Sequence, residues 1–331
     1  MKKRSFKPFG NISALTLGGG GLGQVWGETS REEAMATVIL ALENGINHFD
    51  VAPMYGNGEA ESVIGEVFKG KAINDIRITT KCSLGTLPDE EVYDRLNKSL
   101  TESLNNLNME KVDLFLLHSQ LREDDFQLQI LNSHRDTLTT SLSSYFNAVI
   151  PAFEKLKSEG KITSWGIGGI GQNKAIIDAI NYSIPPEAIQ CVVNPLNSAG
   201  AIGYVDVAYD PNSILKVAQE SDIPILGIRA VQAGALTSQM DREPHKSGRD
   251  AKDFEDYVRA EPFREFAKEY GDTPSHLAHR YALSIDKISS IILGVKNRKE
   301  LLECLDAELM EPLTEEEIDQ INTVLLIDKD L

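Results

Sequence analysis

Positive charge is scarce in this sequence. Over 331 residues, 33 Lys and Arg stand against 50 Asp and Glu, a formal charge of −17. That deficit argues against a nucleic-acid backbone or an anionic membrane surface as the main partner. Cysteine is scarce too. Cys82, Cys191 and Cys304 have no metal-type spacing and are odd in number, so they read as reduced, mostly buried thiols of a cytoplasmic protein. No apolar run approaches the roughly 18 residues of a membrane span. The basic start Met1-Lys2-Lys3-Arg4 leads into no uninterrupted apolar stretch, because Lys7, Pro8 and Asn11 break it up, and no targeting segment is expected. Low-complexity tracts and Pro/Ser-rich linkers are missing, so nothing marks a domain boundary. The residues that are present, 41% hydrophobic and 25% charged, describe a globular chain. Its length suits either two domains of about 150 residues or one large α/β barrel.

The order of short apolar runs decides between these. Candidate strands are Ala14–Gly18, His48–Ala52, Ile76–Cys82, Val112–His118, Ile162–Ile167, Ile189–Asn194, Ile223–Ile228 and Ile288–Leu293. Several are apolar nearly throughout, as parallel strands buried on both faces must be. Helical patterns separate them. Ser30-Arg31-Glu32-Glu33 predicts a capping box that opens a helix carrying Ala34, Val38, Ala41 and Leu42 on one face. Glu61–Phe68, Asp89–Leu104, Tyr145–Ser158, Lys174–Tyr182 and Asn212–Glu220 follow later strands. Thr273-Pro274 predicts an N-cap and first helical residue for Ser275–Leu283. Thr314-Glu315-Glu316-Glu317 predicts a second capping box and a last helix.

Eight strand–helix units predict an α/β fold, a (β/α)8 TIM barrel forming one domain over residues 1–331. The surplus falls in long loops after strands 4 and 7, Gln120 to Ser144 and Ser238 to Arg259, and in a C-terminal helix and tail from Glu308. The two loops lie on the face where barrel active sites form.

Four residues converge on that face. Asp50 ends the second strand and Tyr55 follows in its loop, Lys81 ends the third strand, and His118 ends the fourth. Protic side chains at three successive strand ends are costly to bury unless they pair. A tyrosine with a pKa near 10 is a poor proton donor at neutral pH. A nearby lysine cation lowers that value, and a carboxylate keeps the lysine charged and oriented. A histidine beside the hydroxyl can bond a carbonyl oxygen or relay the proton. The set suits protonation of a carbonyl oxygen while hydride reaches its carbon. No side chain supplies hydride, so a nicotinamide is implied.

The stretch from Asp50 through Tyr55 to Glu59, with Lys81 in Thr79-Thr80-Lys81 and His118 at the end of Asp113–His118, resembles the aldo-keto reductase family in sequence and order. The resemblance implies Tyr55 as general acid in reduction and base in oxidation, tuned by Lys81 and Asp50, with His118 orienting the substrate carbonyl. It implies Gln190 as a ligand of the nicotinamide carboxamide. Gly168-Gly169 stands where the family has a Ser-Asn pair, and Ile228 where a tyrosine stacks on the nicotinamide. Arg229 is expected to meet the pyrophosphate instead. The stretch Gly294-Val295-Lys296-Asn297-Arg298 with Glu303 resembles the adenosine 2′-phosphate site, with Glu300 at the place of a family arginine and Cys304 at that of an asparagine. Lys296 and Arg298 favour NADP(H). NAD(H) is the alternative, with Glu300 bonding a ribose hydroxyl.

Other features have plainer readings. Gly18, Gly20 and Gly23 with Asp50 mimic a dinucleotide-binding fingerprint, but no helix is expected to open directly from them. Gly20 and Gly21 are expected to allow close approach to the nicotinamide end of the cofactor. Trp26 is a candidate substrate-pocket wall, alongside Tyr55 and His118. His48 reads as packing, and Cys82 points away from the site by strand alternation. His276 and His279 lack a third metal ligand, and the role of His134 is open. The expected function is an NAD(P)(H)-dependent oxidoreductase interconverting carbonyls, or sugar-type substrates, and alcohols. It would act as a monomer or small homo-oligomer with a small-molecule substrate and no metal. The alternative is a redox-sensing, nucleotide-binding regulatory subunit with little turnover; a metal-dependent barrel hydrolase lacks its His-rich ligands.

Overall fold

The computed structural model describes residues 1–71, 74–126, 136–206 and 208–326. The strands in chain order are β1 (Lys3–Phe6), β2 (Gly10–Ser13), β3 (Leu15–Gly18), β4 (His48–Asp50), β5 (Arg77–Cys82), β6 (Val112–Leu117), β7 (Gln120–Arg122), β8 (Thr139–Ser141), β9 (Ile162–Gly168), β10 (Ile189–Val192), β11 (Ile225–Ile228) and β12 (Ile288–Leu293). Eight of them, β3 to β6 and β9 to β12, close into a parallel barrel in which β12 returns to β3. The expected fold class is therefore present, and the eight strands are those the apolar runs marked. Most are shorter than expected. β4 stops at Asp50, although Val51 N still bonds Thr79 O at 2.9 Å.

The helices used below are α1 (Gly19–Leu22), α2 (Arg31–Glu43), α3 (Glu59–Phe68), α4 (Asp89–Leu107), α5 (Ile150–Ser158), α6 (Asn173–Ile180), α7 (Pro211–Glu220), α8 (Ala251–Arg259), α9 (Glu261–Tyr270), α10 (Pro274–Ser284), α11 (Arg298–Leu309) and α12 (Glu315–Val324). The capping box of Thr314 is complete, and Thr273 caps α10 with Pro274 at its first position. The box expected at Ser30 is only half formed. Ser30 accepts from Glu33 N, but the Glu33 carboxylate turns away to Arg298. A charge-assisted pair outweighs the bond to a neutral N–H. The helix expected over Tyr145–Ser158 begins as a π turn, Tyr145–Val149, before α5. Pro151 offers no N–H to the preceding turn, which widens. A single turn, α1, does open directly from the glycine run, against expectation.

Three parts of the fold were not expected. β1 and β2 pair antiparallel, and Phe6 and Ile12 pack with Leu114, Leu116, Ala188 and Leu226 to fill the lower end of the barrel. β7 and β8 pair within the loop after β6; residues 127–135 of that loop, His134 among them, lie outside the described residues. The loop after β11 carries α8 and α9 in succession. Phe263 of α9 packs with Leu277 and Tyr281 of α10 and with Ile321 of α12, so the C-terminal helix is seated on the barrel's outer layer.

Candidate active site

The side chains of Asp50, Lys81 and His118 reach one spot because alternate residues of a strand share a face. His48 and Asp50 of β4, and Thr79 and Lys81 of β5, point into the barrel. Cys82 points outward and is buried, and all three cysteines are free and buried.

Lys81 is 1% exposed and Asp50 2%, so each charge depends on its partners. Lys81 Nζ donates to Asp50 Oδ1 at 2.5 Å, to Val51 O at 2.9 Å and to Tyr55 Oη at 3.4 Å. All three ammonium hydrogens are thus assigned. Gln190 Nε2 donates to the other oxygen, Asp50 Oδ2, at 2.7 Å. The His118 ring meets the Tyr55 ring edge-on, with centroids 5.9 Å apart. The structure therefore assembles all four residues read from the sequence.

The electrostatics differ from expectation in one respect. Burial is the largest influence on Tyr55 and pushes its hydroxyl above the usual tyrosine value. Lys81 pulls it down, but Asp50 pushes it up again and holds the same ammonium more closely. Burial also opposes the charge of Lys81, yet Asp50 and Tyr55 together hold its pKa above the usual lysine value. His118 is pushed down to about 3, first by burial and then by Lys81. At neutral pH the site holds a lysine cation, a protonated tyrosine and a neutral imidazole.

A second polar layer lies beneath. Ser290 Oγ and Thr16 Oγ1 are 2.6 Å apart, Thr16 Oγ1 and His48 Nδ1 2.9 Å, and His48 Nε2 and Thr79 Oγ1 2.7 Å. His48, expected as a packing residue, is the centre of this chain across four adjacent strands.

At the mouth, a Cβ on Gly20 would come 2.6 Å from the Trp26 indole nitrogen, and one on Gly294 3.0 Å. A Cβ on Gly21 would fall 1.8 Å from the Val295 carbonyl oxygen. Backbone is the obstacle at Gly21 alone; at Gly20 and Gly294 it is the Trp26 side chain. Arg229 lies with its guanidinium 5.8 Å from the Trp26 ring. Gly169 abuts Gln190 O and accepts the Tyr209 hydroxyl at 2.6 Å.

The remaining cofactor candidates form a separate cluster where β12 enters α11. Lys296 pairs with Asp241 and with Glu300, 3.2 Å away. Asn297 caps α11 by accepting from Glu300 N. Arg298 pairs with Glu33. Glu303 accepts from Thr273 at the head of α10, and Cys304 is buried against His279. Sequence reasoning missed Glu33, Asp241 and the buried acids Asp253 and Asp256 of α8. Asp253 takes Arg229 at 3.2 Å and Arg242 at 3.1 Å. Asp256 takes Ser198 and Gln232. No local pattern separates these acids from the many others.

The donor chemistry fits a dinucleotide. Arg229 Nε is buried with no partner among the described residues. Lys296, Arg298 and the first N–H of α11 already converge on carboxylates, the geometry an anion requires. Among the described residues no group of three or more His, Cys, Asp or Glu could hold a metal ion, and no helix is long and apolar enough to cross a membrane.

The family model described as "Aldo/keto reductase family" matches residues 14–325. The chain belongs to the aldo/keto reductase family. This aldo/keto reductase is 26% identical over 309 residues to L-galactose dehydrogenase of Arabidopsis thaliana, covering 90% of this chain and 86% of that one. It is 25% identical over 264 residues to D-threo-aldose 1-dehydrogenase of a Pseudomonas species, covering 72% and 70%. Its fold superposes on the structure of a glycerol dehydrogenase from Gluconobacter oxydans with a TM-score of 0.72 at 21% identity, covering 99% of this chain and 96% of the other.

Proposed function

We propose that this aldo/keto reductase is an NAD(P)(H)-dependent oxidoreductase that interconverts a carbonyl and an alcohol, with Tyr55 as proton donor in reduction and acceptor in oxidation. The reading rests on one observation, the Lys81 ammonium held between Asp50 at 2.5 Å and the Tyr55 hydroxyl at 3.4 Å. A bound nicotinamide would supply hydride to the carbonyl carbon in reduction or accept it in oxidation; Tyr55 would give its proton to the carbonyl oxygen in the first case and take it back in the second. Burial keeps Tyr55 protonated at rest, as a donor must be. As the proton leaves, Lys81 stabilises the phenolate. Neutral His118 can offer an N–H to the same carbonyl oxygen without competing as an acid. The Asp50 carboxylate and the Gln190 amide hold Lys81 in place.

Substrates of the sugar type are supported by the two dehydrogenases above, named for L-galactose and a D-threo-aldose. In this reading Trp26 walls the substrate end beside Arg229, and Arg229, paired with Asp253 but with its buried Nε unpartnered among the described residues, meets the cofactor's pyrophosphate. Free buried thiols and the acidic composition support a cytoplasmic enzyme acting on a small molecule. The intact tetrad favours turnover over a purely regulatory role. Tyr55→Phe tests the proposal: carbonyl reduction should fall by roughly 10²–10⁴-fold, while dinucleotide binding, followed by fluorescence, persists. Retention of most turnover on every aldehyde and sugar tried would remove Tyr55 from this role.

A further inference from the structure

Glu33 occupies an anion's seat. Its Oε1 accepts from Arg298 N at 3.0 Å and Arg298 Nε at 3.1 Å, and its Oε2 accepts from Arg298 Nη2 at 2.9 Å. Arg298 N is the first amide of α11, a twelve-residue helix. A helix N-terminal amide and a planar guanidinium converging on one group is how a phosphate is held. Here the group comes from α2, the neighbouring helix. Glu33 also leaves its own helix start to reach it, since the return bond to Ser30 N is not made. The other cation of the cluster is committed in the same way, with Lys296 taken by Asp241 and Glu300. Two cations thus face three carboxylates, and the loop that reads as positive in the sequence is not positive in the fold.

We propose that Glu33 is a specificity-determining residue that stands in the place of the 2′-phosphate, so that this enzyme binds NAD(H) in preference to NADP(H). The inference rests on the cofactor reading above, in which the head of α11 faces the adenosine ribose. It reverses the sequence expectation of NADP(H), which counted Lys296 and Arg298 without their partners. An incoming 2′-phosphate would bring its negative charge beside Glu33 and would have to displace it from Arg298. A ribose hydroxyl has neither difficulty and can donate to a carboxylate such as Glu300.

The test is binding, read without turnover. Dissociation constants of NADH and NADPH are measured by fluorescence titration for the wild type, Glu33→Gln, Arg298→Gln and the double variant. Glutamine keeps the size of Glu33 and removes its charge. The wild type should bind NADH more tightly than NADPH. Glu33→Gln should tighten NADPH by about fivefold, the upper end for an exposed ion pair, and leave NADH within about twofold. Arg298→Gln should cost NADPH affinity in the Glu33→Gln background, where the guanidinium is free, and little in the wild type. An unchanged NADPH to NADH ratio in Glu33→Gln, or tighter NADPH binding by the wild type, would overturn the inference while leaving the cofactor reading intact. If the wild type binds neither dinucleotide, the cofactor reading fails and this inference falls with it.

Discussion

Gln190 Nε2 donates to Asp50 Oδ2 at 2.7 Å, so the amide expected to hold a nicotinamide also braces the carboxylate that holds Lys81. Asp50 has both oxygens engaged in a nearly dry site, and the removal of one donor leaves part of its desolvation uncompensated.

Gln190→Leu is expected to destabilise the fold by about 1–3 kcal/mol, the range for a lost bond to a buried charged group. Urea denaturation at pH 7 measures this. A change within about 0.5 kcal/mol would mean the bond contributes nothing net.

Acid should weaken the fold through His48. Its pKa is pushed down to about 3 by burial, then by Lys81 and Arg77, whereas an unfolded histidine titrates near 6.5. Between those values the unfolded chain binds more protons than the folded one, so stability falls as pH falls and is fully present above about 6.5. From pH 7 to pH 5 one such histidine removes about 2 kcal/mol, and His118 acts in the same direction. Urea midpoints at the two pH values should therefore differ less in His48→Gln than in the wild type. Equal pH sensitivity would count against a neutral buried His48.

The neighbouring glycines Gly20 and Gly21 should respond differently to alanine. At Gly21 the new Cβ meets the Val295 backbone oxygen at 1.8 Å. Backbone cannot rotate aside, and a loss of about 3 kcal/mol is expected. At Gly20 the Cβ meets only the Trp26 side chain, which can turn. Gly20→Ala should cost less stability and instead change the Trp26 fluorescence. Thermal melts and emission spectra separate the two; similar losses at both positions would contradict the packing described.

Asp253→Asn should be among the more damaging substitutions outside the tetrad. Asp253 is 3% exposed and takes both Arg229 and Arg242. Arg229 holds a left-handed backbone, φ +59°, an uncommon state for a residue with a Cβ. Removing the charge that anchors it should cost about 3 kcal/mol, seen in urea unfolding. A near-neutral result would show that the Ala199 carbonyl and the aromatic contact with Trp26 suffice.

The barrel was legible because parallel strands buried on both faces leave continuous apolar runs. The tetrad was legible because its residues stand at strand ends where such runs should have stopped. The N-terminal hairpin was hidden, since Lys3–Phe6 and Gly10–Ser13 are too short and polar for their pattern to speak, and only Phe6 and Ile12 anchor them. Partnership across the chain was hidden as well. Glu33 and Arg298 are 265 positions apart, and nothing local says that one consumes the other. The same holds for Arg229 and Asp253. Tyr55 shows the limit for acidity: its neighbours were evident, but the dominance of burial over Lys81 depends on how deeply the hydroxyl sits.

The hairpin that fills the barrel's lower end has a kinetic consequence. With Phe6 and Ile12 packed into that end among the described residues, a ligand that reacts at Tyr55 is expected to enter from the opposite end, where the strands finish. If the proposed dinucleotide and its substrate share that end, the inner one is first in and last out, and initial-rate patterns of compulsory-order addition are the expected outcome.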